Sequence, residues 1–282
     1  MKEAIRKSEV LIEALPYIKK FHKKITVIKY GGSILAEDRV RRSVLEDIAF
    51  LRYTGIRPVL VHGGGPMITE RLREKKITSE FVEGMRVTDG ETLKVVEEEL
   101  NRLNDLIVEE ITAHNIKAKG LKRAEEFIYA EKKKSKKELG FVGEIVGFDR
   151  KRLEKIVVDS IPVICPMGVS RDGVVYNINA DEIACFIATQ LKAEKLVYLT
   201  NVLGVMRNAR DEDSLISTLS STEAEELIAG KVIDEGMVPK VRGAIEAIRG
   251  GVKKVHIIDA KIPHALLLEI FTNEGIGTEI VH

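Results

Sequence analysis

Short apolar runs alternate with longer amphipathic stretches along most of the chain, a pattern typical of an α/β fold. Runs that predict buried strands are 25–30, 58–62, 161–165, 195–200, 254–259 and 278–281. Helical spacing of apolar residues predicts helices over about 37–53, 89–115, 180–191 and 238–249. We therefore predict a three-layer α/β sandwich, in which helices cover a central, mainly parallel sheet.

Two regions depart from this alternation. Between 117 and 149 the pattern changes to short polar strands, with Gly140 and Gly143 interrupting a hairpin and the lysine-rich 132–137 forming its solvated edge. We expect one continuous domain with two lobes, 23–175 and 176–282, that meet near residue 175.

The first 22 residues precede the first strand and predict an amphipathic arm helix. Its apolar side chains on one face are Val10, Leu11, Ala14, Leu15 and Ile18. Pro16 should kink this helix, because proline removes one backbone hydrogen bond. Two roles are open: a helix packed on its own domain, or an arm that contacts another subunit.

Charge and composition exclude several classes of partner. With 45 basic and 44 acidic residues the net charge is only +1, so no overall field favours nucleic acid or a membrane surface. Cys165 and Cys185 lie in apolar stretches and are expected to be reduced core residues of a cytoplasmic protein. The six histidines have no metal-ligand spacing, so no metal site is expected. The first residues lack a secretory pattern, and no apolar run reaches the ~20 residues that span a bilayer.

Two glycine clusters, Gly31-Gly32 and Gly63-Gly64-Gly65, follow directly after predicted strands. Ligands of open α/β sheets bind at the carboxyl ends of strands, where glycines let backbone N–H groups approach an anion. Tight turns alone would also explain such glycines. Two clusters in succession, one of them preceded by Lys29, favour a phosphate site.

Established phosphate-binding and hydrolase signatures are absent. A P-loop is excluded because Gly230-Lys231 has no Ser or Thr after it, and no full dinucleotide fingerprint or protein-kinase set is present. The string from His62 to Gly65 is similar to the oxyanion loop of esterases, which makes a hydrolase the first rival. That rival requires a Gly-x-Ser-x-Gly elbow, and the residues around Ser170 have the wrong spacing.

Six segments in order resemble the amino acid kinase family, and within it the N-acetyl-L-glutamate kinases. They are 27–33, 60–66, 84–89, 176–181, 199–205 and 236–240, and the resemblance extends over about 10–282. It implies ATP-dependent phosphorylation of the side-chain carboxylate of N-acetyl-L-glutamate, a step of arginine biosynthesis. It also implies an amino-acid-binding first lobe and a nucleotide-binding second lobe.

The resemblance assigns roles to residues at matching positions. Lys29 and Lys240 would flank the transferred phosphoryl group, and Asp181 would hold both lysines, although it could instead cap a helix. The substrate-binding residues would be Gly64, Gly65, Arg86 and Asn177, with Arg86 on a carboxylate or else in a surface ion pair. The nucleotide side would comprise Gly31, Gly32, Asn201, Gly204, Met206, Gly236 and Met237, with Mg²⁺ held mainly by the phosphates of ATP.

The resemblance further implies assembly and regulation. In arginine-inhibited members a kinked N-terminal helix joins dimers into a hexamer, and arginine binds beside it. Tyr17, His256 and Glu269 match positions of that effector site. Ala260-Lys261 stands where a Gly-Arg pair is usual, so a hexamer is a firmer expectation than inhibition.

Three departures from the family pattern keep alternatives open. Asn201 stands in place of an aspartate, Glu235 in place of a glycine, and 122–125 replaces a Ser-Gly-x-Asp stretch. Glu235 would either lie near the phosphates and weaken ATP binding or cap the helix that follows. The alternatives are a kinase for another N-acyl acidic amino acid, such as N-acetylaminoadipate, and a catalytically weakened regulatory relative.

Overall fold

The computed structural model describes residues 1–82, 84–208, 211–234, 236–272 and 275–282. Glu235 lies outside the described residues, so both interpretations of its side chain remain predictions. The helices are α1 (Lys2–Phe21), α2 (Gly32–Leu35), α3 (Asp38–Tyr53), α4 (Gly65–Glu74), α5 (Gly90–Thr112), α6 (Arg150–Asp159), α7 (Ala180–Leu191), α8 (Ser221–Ala229), α9 (Val238–Arg249) and α10 (Ala265–Phe271). The strands are β1 (Ile25–Tyr30), β2 (Arg57–His62), β3 (Phe81–Val82), β4 (Met85–Arg86), β5 (Ala118–Leu121), β6 (Ile128–Lys132), β7 (Val142–Phe148), β8 (Ile161–Ile164), β9 (Met167–Val169), β10 (Val175–Ile178), β11 (Lys195–Thr200), β12 (Thr218–Ser220), β13 (Lys254–Asp259) and β14 (Thr278–Val281).

The main sheet has eight strands in the order β12-β14-β13-β11-β1-β2-β8-β5. Every neighbouring pair is parallel except β13 and β14. The predicted mainly parallel sheet is therefore confirmed. Because β1, β2 and β11 run the same way, their carboxyl ends and the loops that follow them share one edge of the sheet.

Both faces of this sheet are covered, which explains why its strands are apolar throughout. Along β1, Val27 belongs to the core under α7 and α9, whereas its neighbour Ile28 belongs to the core under α3 and α10. The alternation follows from the two-residue period of a strand. Helices on both faces give the predicted three layers.

The polar region between residues 117 and 149 is only partly the predicted hairpin. Strands β6 and β7 pair antiparallel and close a small barrel with β9 and β10. Strand β5 instead joins the edge of the main sheet beside β8, placing buried Leu121 opposite Ile164. Strand β5 thus lies outside the hairpin, and its Leu121 completes the core of the main sheet.

Helix α1 divides its apolar residues between the domain and the surface. Phe21 is buried, and Ala14 and Ile18 pack against the core under α3. Leu11 is 68% exposed, so the predicted single apolar face is not buried as a unit. The side chain of Val10 lies outside the description, and Pro16 lies within the helix. Within the described part of the chain, no helix is both long and apolar enough to cross a bilayer.

Candidate active site

One carboxylate and two ammonium groups meet at the carboxyl edge of the sheet. The Nζ atom of Lys29 lies 2.9 Å from Oδ1 of Asp181, and Nζ of Lys240 lies 2.9 Å from Oδ2. The three side chains are between 10% and 23% exposed, so water screens them poorly. Residues about 60 to 210 positions apart in the sequence thus form one charged cluster, as the family resemblance implies.

Local structure places each member of this cluster. Lys29 is the penultimate residue of β1, and Lys240 lies in the first turn of α9 after Pro239, a residue suited to that position. The side chain of Asn179 caps α7 by accepting from the N–H of Asp181 at 2.7 Å. The alternative role of Asp181 as the helix cap is therefore wrong, since Asn179 caps and leaves the Asp181 carboxylate to the lysines.

The electrostatics of Asp181 reflect two opposing effects. Burial raises the pKa of this carboxyl, but the charges and hydrogen bonds of Lys29 and Lys240 outweigh burial and bring the pKa to about 2. The carboxylate is therefore ionised at neutral pH. A net charge of about +1 on the cluster remains to attract an anion.

The two glycine loops touch each other beside the lysines. A Cβ on Gly32 would lie 2.7 Å from the nitrogen of Gly65, closer than real side chains approach, and 3.0 Å from that of Gly64, a tight contact. The missing side chain thus lets the N–H groups of one loop approach the other. Gly65 also begins α4, whose first N–H groups have no acceptor within the helix. The arrangement suits an oxyanion.

Arg86 is buried in β4 and contacts the second glycine loop directly. Its Nη2 donates to the carbonyl of Gly65 at 3.0 Å and to Oγ1 of Thr69 at 2.8 Å, its Nη1 donates to Ser79, and the guanidinium lies 4.6 Å from the Phe81 ring centre. No carboxylate of the described residues forms an ion pair with Arg86, and burial lowers its pKa. The surface ion pair considered for Arg86 is therefore not what the described residues form.

A cavity of about 260 Å³ connects these groups. Its lining includes Lys29, Gly65, Arg86, Asn177 and Asp181. The Nδ2 atom of Asn177 donates to Oγ1 of Thr88 at 3.3 Å, which orients the amide on β10. All four predicted substrate-binding residues line this cavity together with two of the three predicted catalytic residues.

The predicted nucleotide residues lie along the same edge but in different environments. In the β1–β11 register Tyr30 lies opposite Leu199, so Gly31 and exposed Asn201 leave the sheet near each other. Gly236 is exposed, and Met237 is the N-cap residue of α9, three positions before Lys240.

Two of the predicted nucleotide-binding residues, Gly204 and Met206, also make packing or backbone contacts within the fold. Gly204 is buried, and a Cβ there would lie 2.5 Å from Oγ1 of Thr278, so close packing against β14 requires glycine. Half-buried Met206 bridges to Leu215. Their contact with a nucleotide remains a prediction.

The three predicted effector residues are brought together by α1, β13 and α10. The Nδ1 atom of His256 lies 2.6 Å from Oε1 of Glu269, and its Nε2 lies 3.0 Å from Nζ of Lys195. Tyr17 and Glu269 line a second cavity of about 700 Å³, together with Lys195 and Glu279. Burial lowers the pKa of Lys195 to about 8, against the raising effect of Glu269 and Glu279.

The unusual stretch 122–125 lies away from the active-site cavity. Lys122 pairs with Asp105 at 2.5 Å, Arg123 pairs with Glu97 at 2.5 Å, and Glu125 pairs with Arg152. None of the stretch lines the 260 Å³ cavity. Its charges serve to join β5 and β6 to neighbouring helices.

Comparison with known proteins decides the family. The model of the amino acid kinase family matches residues 24–259. The chain belongs to the amino acid kinase family. Curated relatives include the acetylglutamate kinases of Syntrophomonas wolfei subsp. wolfei, 45% identical over 282 residues, and of Aquifex aeolicus, 45% identical over 298 residues. These alignments cover 99% of this chain, and 98% and 99% of the two relatives.

Solved structures with the same fold as this amino acid kinase support the family assignment. N-acetylglutamate synthase from Neisseria gonorrhoeae, complexed with coenzyme A and N-acetyl-glutamate, matches with a TM-score of 0.88 and 27% identity. The match covers 98% of this chain but 63% of that longer one. Carbamate kinase from Giardia lamblia bound to AMP-PNP matches with a TM-score of 0.67 at 17% identity, covering 92% of this chain and 98% of that one, a likeness of fold alone.

Several contacts of this amino acid kinase escaped the sequence reasoning. Asn104 on α5 contacts His62, yet the helical pattern marks it only as one polar residue among many. Lys195 begins an apolar strand and resembles a surface lysine. Its position is decided by register, which sets it opposite Lys254 on β13. The capping role of Asn179 could have been found from the sequence, since an asparagine directly before a predicted helix is a common N-cap.

The lysine–carboxylate cluster makes a prediction that does not depend on activity. Replacing Lys240 with methionine should raise the pKa of Asp181 above about 2, because burial raises it and one opposing charge is gone. Carbon-13 titration of the carboxyl group measures this. The low pKa also means that Asp181 stabilises the fold above its unfolded value of 3.8, a contribution lost as the pH falls toward 2. An unchanged pKa in the variant would show that Lys240 does not reach Asp181 in solution.

Proposed function

We propose that this kinase transfers the γ-phosphoryl group of ATP to the side-chain carboxylate of N-acetyl-L-glutamate, forming an acyl phosphate and ADP. The observation that carries the proposal is the arrangement around the 260 Å³ cavity. The cavity is lined by Lys29 and Asp181 of the Lys29–Asp181–Lys240 cluster, by both glycine loops and by Arg86, whose guanidinium has no carboxylate partner among the described residues. Full-length similarity to curated acetylglutamate kinases supports the choice of acceptor.

The cavity accommodates an amino acid with two carboxylates. Arg86 presents a planar fork of N–H donors, which suits the α-carboxylate, and its charge lacks a carboxylate partner among the described residues. Asn177 offers an amide to the polar N-acyl group. The second carboxylate then extends toward Gly64, Gly65 and Lys29, where phosphorylation would occur.

Phosphoryl transfer needs little covalent help and depends on positioning and positive charge. Lys29 and Lys240 approach from different elements, so they can neutralise charge on opposite sides of the transferred group. Asp181 holds both ammonium groups at 2.9 Å and keeps them in place before the nucleotide arrives. The N–H groups of the glycine loops add donors where negative charge develops.

ATP would lie along the sheet edge between Gly31 and the start of α9. The N-terminus of α9 offers a favourable dipole for phosphates, whereas the N–H groups of Gly236, Met237 and Val238 already donate to Asp234. Mg²⁺ would enter with ATP on its phosphate oxygens, where it neutralises their charge. The described residues contain no group of three His, Cys, Asp or Glu able to hold a metal, and Asp181 is already engaged by two lysines.

The direct test is a coupled ADP-release assay across four acceptors: N-acetyl-L-glutamate, N-acetylaminoadipate, glutamate and aspartate. We expect the highest kcat/KM with N-acetyl-L-glutamate. A higher kcat/KM with N-acetylaminoadipate would contradict the proposed acceptor and indicate a kinase for this longer N-acyl amino acid. ATP turnover with none of the four would favour the regulatory relative that the departures at Asn201 and Glu235 leave open.

We also propose that the second cavity binds arginine and that α1 joins subunits into a hexamer. Glu269 and Glu279 line the cavity and could accept a guanidinium, while Lys20 and Lys195 could bind a carboxylate. Tyr17 belongs to the same lining, so the arm helix contributes to the site. The exposed side chains of Leu11 and Ile12 are available to a second subunit. The buried free cysteines suit a cytoplasmic location.

Deleting residues 1–22 is expected to convert a hexamer into dimers and to abolish inhibition by arginine, because both depend on α1. Light scattering and the ADP-release assay with arginine measure the two effects. The matched variant Glu269→Gln should keep the hexamer and weaken arginine binding by about tenfold or more, the effect of losing one charge-assisted contact. A monomeric or dimeric full-length chain would contradict the assembly.

A further inference from the structure

His62 is the part of the second glycine loop that the proposed chemistry leaves without a role. The imidazole is fully buried, so no substrate reaches it. Both ring nitrogens nevertheless have partners: Nδ1 lies 3.0 Å from the carbonyl oxygen of Gly63, and Nε2 lies 3.1 Å from Nδ2 of Asn104. A buried histidine held at both nitrogens on a substrate-binding loop suggests a task in shaping that loop.

The partners determine which nitrogen of His62 carries the proton. The Nδ2 atom of Asn104 also donates to the carbonyl of Val163 at 3.0 Å, and a carbonyl can only accept, so Nδ2 is the amide nitrogen. Asn104 therefore donates to Nε2 of His62, and the imidazole hydrogen is on Nδ1. Burial lowers the pKa of His62 to about 4, which keeps the ring neutral near pH 7. His62 thus donates from Nδ1 to the Gly63 carbonyl.

The hydrogen bond from His62 to the Gly63 carbonyl also fixes the direction of the next backbone N–H group, that of Gly64. The carbonyl of Gly63 and the N–H of Gly64 belong to the same planar trans peptide, so they point in opposite directions. With the carbonyl turned inward to His62, the N–H of Gly64 is turned outward. It faces Gly32, whose Cβ position is 3.0 Å from the Gly64 nitrogen, and no described residue accepts a hydrogen bond from it.

We infer that His62 is a positioning residue that orients the Gly63–Gly64 peptide, so that the Gly64 N–H is aimed at the oxygen that develops charge during phosphoryl transfer. The inference rests on the proposed function, since it requires an oxyanion at the glycine loops. The fixed orientation matters because a donor set before the reaction costs no reorganisation when charge develops.

Helix α5 packs against the Gly63–Gly64 peptide and His62. It carries Asn104, and its Leu100 and Leu103 side chains lie 2.8 Å and 3.1 Å from where a Cβ of Gly64 would be. The loop therefore has no room to move toward α5, and the hydrogen bonds from Asn104 to His62 and from His62 to Gly63 set the rotation of the Gly63–Gly64 peptide. A Cβ on Gly120 would lie 2.4 Å from Oδ1 of Asn104, so the β5 glycine in turn leaves space for the amide.

Two variants of His62 separate orientation from packing. In His62→Asn the side-chain nitrogen occupies the place of Nδ1, so donation to Gly63 is kept and the contact with Asn104 is lost. In His62→Gln the polar end occupies the place of Nε2, so the Asn104 contact is kept and the Gly63 contact is lost. We expect the Asn variant to keep kcat within about threefold and the Gln variant to lose about 10–100-fold, with both KM values nearly unchanged.

A packing role predicts the opposite order, because glutamine is closer to histidine in volume and leaves less empty space. Equal losses in the two variants, or a larger loss in the Asn variant, would overturn the inference. Crystal structures of both variants provide a readout without turnover: the Gly63 carbonyl should keep its direction in Asn and turn in Gln. If the wild type fails to phosphorylate N-acetyl-L-glutamate, the proposed function fails, while an unturned carbonyl in the Gln variant would refute the role of His62 alone.

Discussion

Replacing Lys240 with alanine is expected to lower kcat by about 10²–10⁴, with a much smaller change in KM for either substrate. The ammonium group neutralises charge that develops only in the transition state, so its loss affects turnover more than binding. Lys29→Ala should behave in the same way, because Asp181 holds both lysines at 2.9 Å. Steady-state kinetics with N-acetyl-L-glutamate and ATP measure both values.

Lys75→Ala provides the matched control for these variants. Lys75, at the end of α4, also pairs with a carboxylate, that of Glu98 on α5 at 3.1 Å, but both side chains of this pair are exposed. Exposed pairs contribute about 0–1 kcal/mol, so this variant should keep both activity and stability. If all three lysine variants lost activity modestly and equally, the Lys29–Asp181–Lys240 cluster would be a structural feature and no phosphoryl site.

Replacing Arg86 with alanine is expected to raise the KM for N-acetyl-L-glutamate by about 30–1,000-fold while leaving the KM for ATP nearly unchanged. A bidentate, charge-assisted contact with a carboxylate in a buried site is worth about 2–4 kcal/mol, and each 1.4 kcal/mol is tenfold. The guanidinium is buried without a carboxylate partner among the described residues, so the substrate would supply its counter-charge.

Arg86 also supports the loops around it, so a control must separate binding from scaffolding. Thr69→Val removes a hydroxyl that accepts from Arg86 at 2.8 Å but keeps the guanidinium itself. We expect its KM to change by less than about fivefold, since one neutral contact contributes about 1 kcal/mol. A Thr69→Val variant as impaired as Arg86→Ala would mean that Arg86 acts by holding the β3–β4 hairpin.

Much of the fold could be predicted because local sequence and global architecture agree. Strand β1 is apolar on both faces and is followed at once by glycines, which predicts a buried parallel strand with a ligand at its carboxyl end. The helix predicted over about 89–115 has Asp89 at its start, and the Asp89 side chain accepts from the N–H of Thr92 and caps α5. Such features depend on neighbours in sequence.

What the sequence did not predict depends on contacts between distant segments. Strand β5 alternates weakly, so only its pairing with β8 shows that it belongs to the main sheet. The burial of Arg86 and the link from Asn104 to His62 depend on how α4, α5 and the β3–β4 hairpin close around one cavity. No pattern within either segment specifies that closure.

In the candidate site, too, some features could be predicted from the sequence and others depend on contacts between distant segments. Lys29, Asp181 and Lys240 were assigned by resemblance, and the structure brings them together. Gly204 was assigned to the nucleotide side, yet its immediate requirement is close packing against Thr278. A glycine in a motif can thus reflect space inside the fold as well as access for a ligand.

Phosphorylation of the side-chain carboxylate can be tested by trapping the acyl phosphate that it forms. The wild-type kinase is incubated with MgATP, N-acetyl-L-glutamate and hydroxylamine, which traps an acyl phosphate as a hydroxamate. We expect N-acetylglutamyl hydroxamate in amounts equal to the ADP released, and none without the acceptor. ADP release without hydroxamate, or no reaction with this acceptor at saturating ATP, would contradict phosphorylation of its side-chain carboxylate.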